Sequence, residues 1–95
     1  MHAMLRTFSG DGAKAFAKVM EERKADIEKI VKSVSGITSY TLVATSDGAF
    51  SVTVAKDKAT VDDMHKKAME WIKENTGPTK VKPPTVSEGT VILHR

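Results

Sequence analysis

Apolar residues recur with helical spacing in two stretches of the chain. Between positions 13 and 34 they form one stripe and the charged residues fill the remaining face, which predicts a single long amphipathic helix ended by Ser35-Gly36. The second stripe follows Thr60, which we predict to cap the helix with Asp63 at the reciprocal position, and it stops at Asn75-Thr76-Gly77-Pro78. The stripes are Phe16, Val19, Met20, Ile27, Ile30, Val31 and Val34, then Val61, Met64, Ala68, Trp71 and Ile72.

Four other stretches favour β-structure. They are Met4 to Phe8, Ile37 to Thr45, Ala49 to Ala55, and Val86 to His94, the last with a bulge or bend expected at Gly89. The order strand, helix, strand, strand, helix, strand predicts an α+β fold with ferredoxin-like βαββαβ topology. Right-handed crossovers then give a four-stranded antiparallel sheet of order 4-1-3-2 with both helices on one face.

The turn Ser46-Asp47-Gly48 leaves two hairpin registers open. A two-residue Asp-Gly loop would place Val43 and Thr45 on the same face as Phe50 and Val52. A three-residue loop with a left-handed Gly48 separates apolar from polar positions, and we favour it for that reason. It turns Tyr40, Leu42, Ala44, Phe50, Val52 and Val54 towards the helices and leaves Ser39, Thr41, Val43, Ser51 and Thr53 on the open face.

The open sheet face carries almost no charge. Between Ile37 and Ala55 the only charged residue is Asp47, which lies in the turn, whereas a solvated face more often carries Lys, Glu and Arg. The chain has 95 residues, a single domain over 1–95, and no cysteine, so a second copy is an economical source of additional core. We therefore predict a homodimer through this face; a monomer with an exposed Ser/Thr-rich sheet is the alternative.

Charge and composition limit the partners. The 15 basic and 12 acidic residues give +3 and are interleaved, and the only same-sign cluster, Lys80 and Lys82 with Lys73, is small, so no nucleic acid is predicted. RNA-recognition modules of this topology stack bases on strand aromatics, but Ala49 to Val54 offers only Phe50. No apolar run reaches the length of a signal peptide or membrane span, so we expect no membrane partner and a cytoplasmic location.

Several pieces of the sequence resemble the dimeric α/β-barrel superfamily, nearest the antibiotic biosynthesis monooxygenase-like proteins. They are Val34-Ser35-Gly36-Ile37, Ser39-Tyr40-Thr41-Leu42, the Asp47-Gly48 turn, and Phe50 to Val54. The resemblance implies a barrel of two facing sheets with an internal pocket. It also implies relatives that oxidise small aromatic compounds without metal or flavin, relatives that degrade haem, and many of no known activity.

Haem-degrading relatives combine a helical histidine with an asparagine on the first strand and a tryptophan in the pocket. Here the first strand offers His2, Met4 and Arg6 but no asparagine, and the single tryptophan, Trp71, lies in the core stripe of a helix. We therefore predict no haem degradation and no cofactor.

Three residues are weak catalytic candidates. Arg23 falls near the centre of the first apolar stripe, where it would bind an anion at a pocket or dimer seam, or, as we favour, pair with a carboxylate at the sheet edge. His65 flanks the second stripe, as a general base or haem ligand, or more often as a half-buried structural residue. Tyr40 could donate to a substrate oxygen in the open face if the favoured register is wrong.

Four residues are candidates for ligand binding. Trp71 and Asn75 lie one helical turn apart, either as the wall and donor of a pocket or, as we favour, as core and helix cap. Thr41 and Thr53 would line the pocket between two facing sheets. His2 and His94 meet where the first and last strands pair, but two histidines supply too few ligands for zinc, so no metal is predicted.

Two functions remain open. The sequence holds no phosphate-binding loop, zinc-protease helix or nucleophile elbow, and no strong constellation of acid, base and nucleophile. This favours a homodimer that binds a small molecule or a partner protein without strong catalytic apparatus. The alternative, from the resemblance, is a cofactor-independent monooxygenase acting on small aromatic compounds such as quinols or anthrones.

Overall fold

Four strands and three helices make up the computed structural model, which describes residues 1–10, 12–75 and 83–95. The sheet is antiparallel with order β2-β3-β1-β4, which is the predicted order read from the opposite edge, so the ferredoxin-like topology is confirmed. None of the described helices is long and apolar enough to cross a membrane. The elements are β1 (His2–Phe8), α1 (Ala13–Glu22), α2 (Lys24–Ser33), β2 (Ile37–Ala44), β3 (Ala49–Ala55), α3 (Lys58–Asn75) and β4 (Thr85–Thr90).

The predicted single helix over 13–34 is two helices. Arg23 separates α1 from α2 with φ −111° and ψ 26°, and its carbonyl accepts a 2.9 Å hydrogen bond from the Asp26 amide together with a longer one, 3.4 Å, from the Ile27 amide, so the helix tightens at this point. An unbroken helix would direct this charged side chain into the apolar stripe. The break leaves Arg23 exposed and avoids the cost of burying its charge.

The N-terminus of α3 is capped by a different residue from the one predicted. Asp57 Oδ1 accepts hydrogen bonds from the Thr60 amide at 2.8 Å and from the Thr60 hydroxyl at 2.7 Å. The helix therefore begins earlier, at Lys58, and Thr60 lies within its first turn. Of the predicted stop signal, Thr76-Gly77-Pro78 lies outside the described residues.

The favoured hairpin register is wrong. Ala44 pairs with Ala49, Leu42 with Ser51 and Tyr40 with Thr53, so the faces divide as in the two-residue-loop alternative, with Val43 opposite Phe50 and the strands joined through 45–48. Tyr40 and Leu42 face the helices as predicted, but Ser51 and Thr53 do so as well, at 1% and 2% exposure.

Gly48 is required for space and not for a left-handed turn. Positive φ among the described glycines occurs at Gly10, Gly12 and Gly36 only. A Cβ at Gly48 would instead overlap the backbone carbonyl of Phe8 and lie 3.1 Å from Cβ of Ala13. The hairpin turn thus presses against the end of β1, and no larger residue fits there.

The main core lies between the helices and one face of the sheet. Phe8 and Phe16 pack edge to face at 5.3 Å between ring centroids, and Phe16 also contacts Trp71 at 6.3 Å. The opposite, open face is more apolar than predicted, because β3 contributes Phe50, Val52 and Val54 to it. It also includes Ala3, Leu5 and Thr7 from β1, Ser39, Thr41 and Val43 from β2, and Thr85, Ser87 and Gly89 from β4, none of them charged.

Candidate functional site

An arginine is buried in the middle of the sheet, on its helix-facing side. Strand alternation places Arg6 between Met4 and Phe8 in the core-facing phase of β1, and it is only 2% exposed. Its Nε donates to Ser51 Oγ at 3.2 Å, and its Nη2 donates to Tyr40 Oη over a long 3.5 Å. Its Nη1 is buried and has no hydrogen-bond partner in the described part of the chain.

The charge of Arg6 is enclosed without a counter-charge. No carboxylate oxygen among the described residues lies within 4.0 Å of the guanidinium. Burial lowers the pKa of Arg6, and the contact with Tyr40 opposes that shift. An arginine guanidinium stays protonated in proteins, so the interior contains a lone positive charge. Burying it is costly unless an anion or further hydrogen-bond acceptors contact the guanidinium.

The importance of Arg6 was not predicted from the sequence, where it is one residue of the first strand. The available signal was its phase, since Met4, Arg6 and Phe8 alternate with Leu5 and Thr7, which predicts that one cation shares the apolar face.

A groove between α2 and β2 is lined in part by Tyr40, which contacts this arginine. Its volume is about 580 Å³, within the range of small-molecule sites. Apolar side chains form much of its surface, while Lys24, Glu28 and Lys32 stand along α2, the last two as an ion pair of 3.0 Å. The lining residues on the helix and following turn are Lys24, Ile27, Glu28, Val31, Lys32 and Val34, and those on the strand are Ile37, Thr38, Ser39, Tyr40 and Leu42.

A small inner cavity of about 20 Å³ lies behind the groove. Arg6, Ser51 and Trp71 border it, together with apolar residues of all three helices. Three side chains, Ile27, Tyr40 and Leu42, line both spaces and therefore separate the groove from the cavity.

The four predicted ligand-binding residues do not form one site. Trp71 is 9% exposed and borders the inner cavity, whereas Thr41 is exposed on the open face. Thr53 was predicted on the open face but is buried against the helices, opposite Met4 and Tyr40, so it cannot line a pocket between two facing sheets.

Arg23 and Asn75 form a contact on the surface, outside the groove. Arg23 Nη1 donates to Asn75 Oδ1 at 3.0 Å, and Asn75 Nδ2 donates to the Trp71 carbonyl at 2.8 Å. Arg23 therefore pairs with an amide, where we expected a carboxylate at the sheet edge, and Asn75 satisfies a carbonyl of the last turn of α3.

The two histidines predicted to meet at the sheet edge have different surroundings. His2 Nε2 lies 2.9 Å from Glu88 Oε1, which is also 3.1 Å from Lys58 Nζ, and these two bonds lower the pKa of Glu88. His94 is exposed beyond β4. The structure, over the residues it describes, contains no cluster of three potential metal-ligating His, Cys, Asp or Glu side chains. Lys80 and Lys82 lie outside the described ranges.

His65 is half-buried on α3, and its Nδ1 is buried with no partner among the residues described. Loss of solvation and the nearby charge of Arg6 lower its pKa below the usual 6.5, while Asp62 and Glu88 oppose the shift. Because the unfolded chain then takes up a proton at higher pH than the folded protein does, protonation favours unfolding.

We expect the free energy of unfolding to fall as the pH drops from about 6.5 towards the lowered pKa of folded His65. His65→Gln should remove this component, so its urea midpoint should change less between pH 7.5 and 5.5 than that of the wild type. NMR titration of the His65 ring gives the folded pKa directly. A value at or above 6.5, or an unchanged pH slope in the variant, would contradict the expectation.

Comparison with known proteins identifies the fold. No family model matches the sequence, and no curated protein matches it. A dimeric ferredoxin-like protein from an uncultured marine organism superposes with a TM-score of 0.61 at 13% identity, covering 99% of this chain and 94% of that one. The haem-degrader MhuD of Mycobacterium tuberculosis, solved with two haems in its active site, gives 0.68 at 13% identity and covers 100% and 99%.

A third solved structure is the monooxygenase from the ActVA-Orf6 gene of Streptomyces coelicolor, in complex with nanaomycin D. It gives a TM-score of 0.63 at 17% identity and covers 99% of this chain and 91% of that one. At these identities the likeness establishes a shared fold, which is the ferredoxin-like fold of the antibiotic biosynthesis monooxygenase-like proteins. Activity does not follow from the fold.

Proposed function

We propose that the protein is a cytoplasmic homodimer that pairs through its open sheet faces and binds a small molecule in the groove between α2 and β2. The observation that carries the binding role is the groove itself, a space of about 580 Å³ whose lining includes Tyr40, which is also a contact of the buried Arg6. A concave space of this size that combines apolar side chains with polar groups is typical of ligand sites.

The dimer is supported by the composition of the open face. Leu5 is 39% exposed there, next to Val52 of β3, which in turn pairs with Thr41 of β2. An uncharged apolar sheet face loses its contact with water when a second copy covers it, and this burial is the main favourable term in association. The neighbour solved as a dimeric ferredoxin-like protein is consistent with this arrangement.

The groove is tested with two aromatic probes, 2-naphthoate and its neutral analogue 2-naphthamide, followed by calorimetry and amide NMR shifts. We expect at least one probe to bind and to shift signals of groove residues such as Val31 and Tyr40. Val31→Trp should fill the groove and weaken binding at least tenfold, because the bulky ring occupies the space of the ligand.

Lys29→Trp is the matched control, since Lys29 is exposed on the same helix and does not line the groove. It should bind the probes as the wild type does. If neither probe binds, or if Val31→Trp and Lys29→Trp behave alike, the groove is not the ligand site.

A cofactor-independent monooxygenase is the second candidate. It is supported by the neighbour described as a monooxygenase and solved with nanaomycin D. Oxygen consumption by the purified protein with anthrone and naphthohydroquinone tests it, and turnover that Val31→Trp abolishes would establish it. Haem is not proposed as a ligand, because no histidine lines the groove or the inner cavity among the described residues.

A further inference from the structure

We infer that the ligand of the groove carries a carboxylate on an apolar or aromatic frame, and that Arg6 Nη1 and the Tyr40 hydroxyl are the donors that bind it. This inference rests on the proposed ligand groove and names the chemical class that the groove accepts.

The charge of the buried cluster of Arg6, Ser51 and Tyr40 favours a monoanion as its ligand. Ser51 and Tyr40, which contact the Arg6 guanidinium, are both neutral hydroxyl side chains. One enclosed positive charge is therefore matched by one negative charge, and a monoanion satisfies it. A phosphate dianion would bring a second negative charge next to Arg6 without a second buried cation. A carboxylate therefore matches the charge of the site better than a phosphate does.

Two hydrogen-bond donors of the cluster are free to bind a ligand, one on Arg6 and one on Tyr40. Nε and Nη2 of Arg6 are engaged, but both hydrogens of Nη1 lack acceptors within the described chain. Tyr40 accepts from Nη2, so its own hydroxyl hydrogen is free to donate. Two neighbouring donors match an acceptor group with two oxygen atoms, which is the geometry of a carboxylate.

A ligand in the groove reaches these donors past the side chains that the groove shares with the inner cavity. Tyr40 lines both the groove and the inner cavity, so a ligand in the groove contacts Tyr40 and faces Arg6 behind it. Movement of the shared Ile27 and Leu42 side chains joins the inner cavity to the groove and admits the carboxylate. The frame of the ligand then lies along the apolar surface around Val31.

The test compares 2-naphthoate with 2-naphthamide by calorimetry at pH 7.5, where the naphthoate is ionised. We expect the wild type to bind naphthoate at least tenfold more tightly than naphthamide. Arg6→Met should abolish this preference and retain naphthamide binding, because it removes the charge and preserves an apolar side chain of similar length. Tyr40→Phe should weaken naphthoate binding several-fold with little effect on naphthamide.

Arg23→Met is the matched control, since it removes an exposed arginine outside the groove and should leave the preference unchanged. Lys24→Met tests whether a lysine of the groove attracts the anion instead. A preference lost in Lys24→Met but kept in Arg6→Met would overturn the inference.

Equal binding of the two probes to the wild type would also overturn it, as expected if a water molecule alone satisfies Nη1, while the groove proposal would stand. Failure of both probes to bind would contradict the groove proposal itself. If Arg6→Met does not give a folded protein by its NMR spectrum, the Tyr40→Phe comparison decides the inference.

Discussion

Val52→Asp should convert the proposed dimer into monomers. Val52 lies at the centre of the open face, paired with Leu5 on one side and Thr41 on the other. A carboxylate there would be buried without a partner, and disruption of a central interface residue typically costs about 2 kcal/mol or more. A two-fold interface contains the substitution twice, so the loss is about 4 kcal/mol, or roughly a thousandfold in the dissociation constant.

Sedimentation equilibrium over a range of protein concentrations measures this effect. Val86→Asp is the control. Val86 lies on β4, where it pairs with Arg6 of β1, and its position is in the helix-facing phase and 41% exposed. It makes the same chemical change on the other side of the sheet and should leave the dimer intact. A wild-type monomer at micromolar concentration, or a Val52→Asp dimer of unchanged strength, would refute pairing through this face.

Gly48→Ala should destabilise the protein strongly, and far more than the same substitution at Gly89. The added Cβ would overlap the backbone carbonyl of Phe8, and a backbone atom cannot move aside as a flexible side chain does. Overpacking of this kind costs about 3 kcal/mol, near the upper end of the usual range. For a domain of this size, that corresponds to a fall of about 12–24 °C in Tm.

Gly89→Ala is its matched control, because a Cβ at Gly89 meets no atom within 4 Å. Since no atom of the subunit has to move, it should change the free energy of unfolding of the subunit by less than about 0.5 kcal/mol. Urea unfolding of both variants measures the difference. Similar midpoints for Gly48→Ala and Gly89→Ala would mean that the hairpin turn does not press on β1 in solution.

The element order and the sheet topology could be predicted from the sequence because they depend on local periodicity and on general rules of chain connection. The register of β3 could not. The rule that polar positions face solvent fails at Ser51, because its hydroxyl accepts a hydrogen bond from a buried arginine 45 positions away along the chain. A local pattern contains no information about such a partner.

The two arginines show the same limit from opposite sides. Arg23 sits in an apolar stripe, yet a break in the helix carries it to the surface, while Arg6 sits in a short strand and is enclosed. Whether a charged residue in an apolar phase leaves the core depends on whether the backbone can bend there and on what lies opposite. Helix α1 can end at Glu22, but β1 is held between β3 and β4 on both sides and cannot turn Arg6 outwards.

The position of Trp71 makes it an intrinsic fluorescence probe of the inner cavity. It is the single tryptophan of the chain and borders the inner cavity beside Arg6 and Ser51, so its emission responds to a change of polarity in that space. Compounds that do not absorb near the excitation wavelength can therefore be screened by fluorescence on the unmodified protein. Because Trp71 lies on the helix-facing side of the sheet, a ligand that reaches the inner cavity should change its emission more than one that binds on the open face.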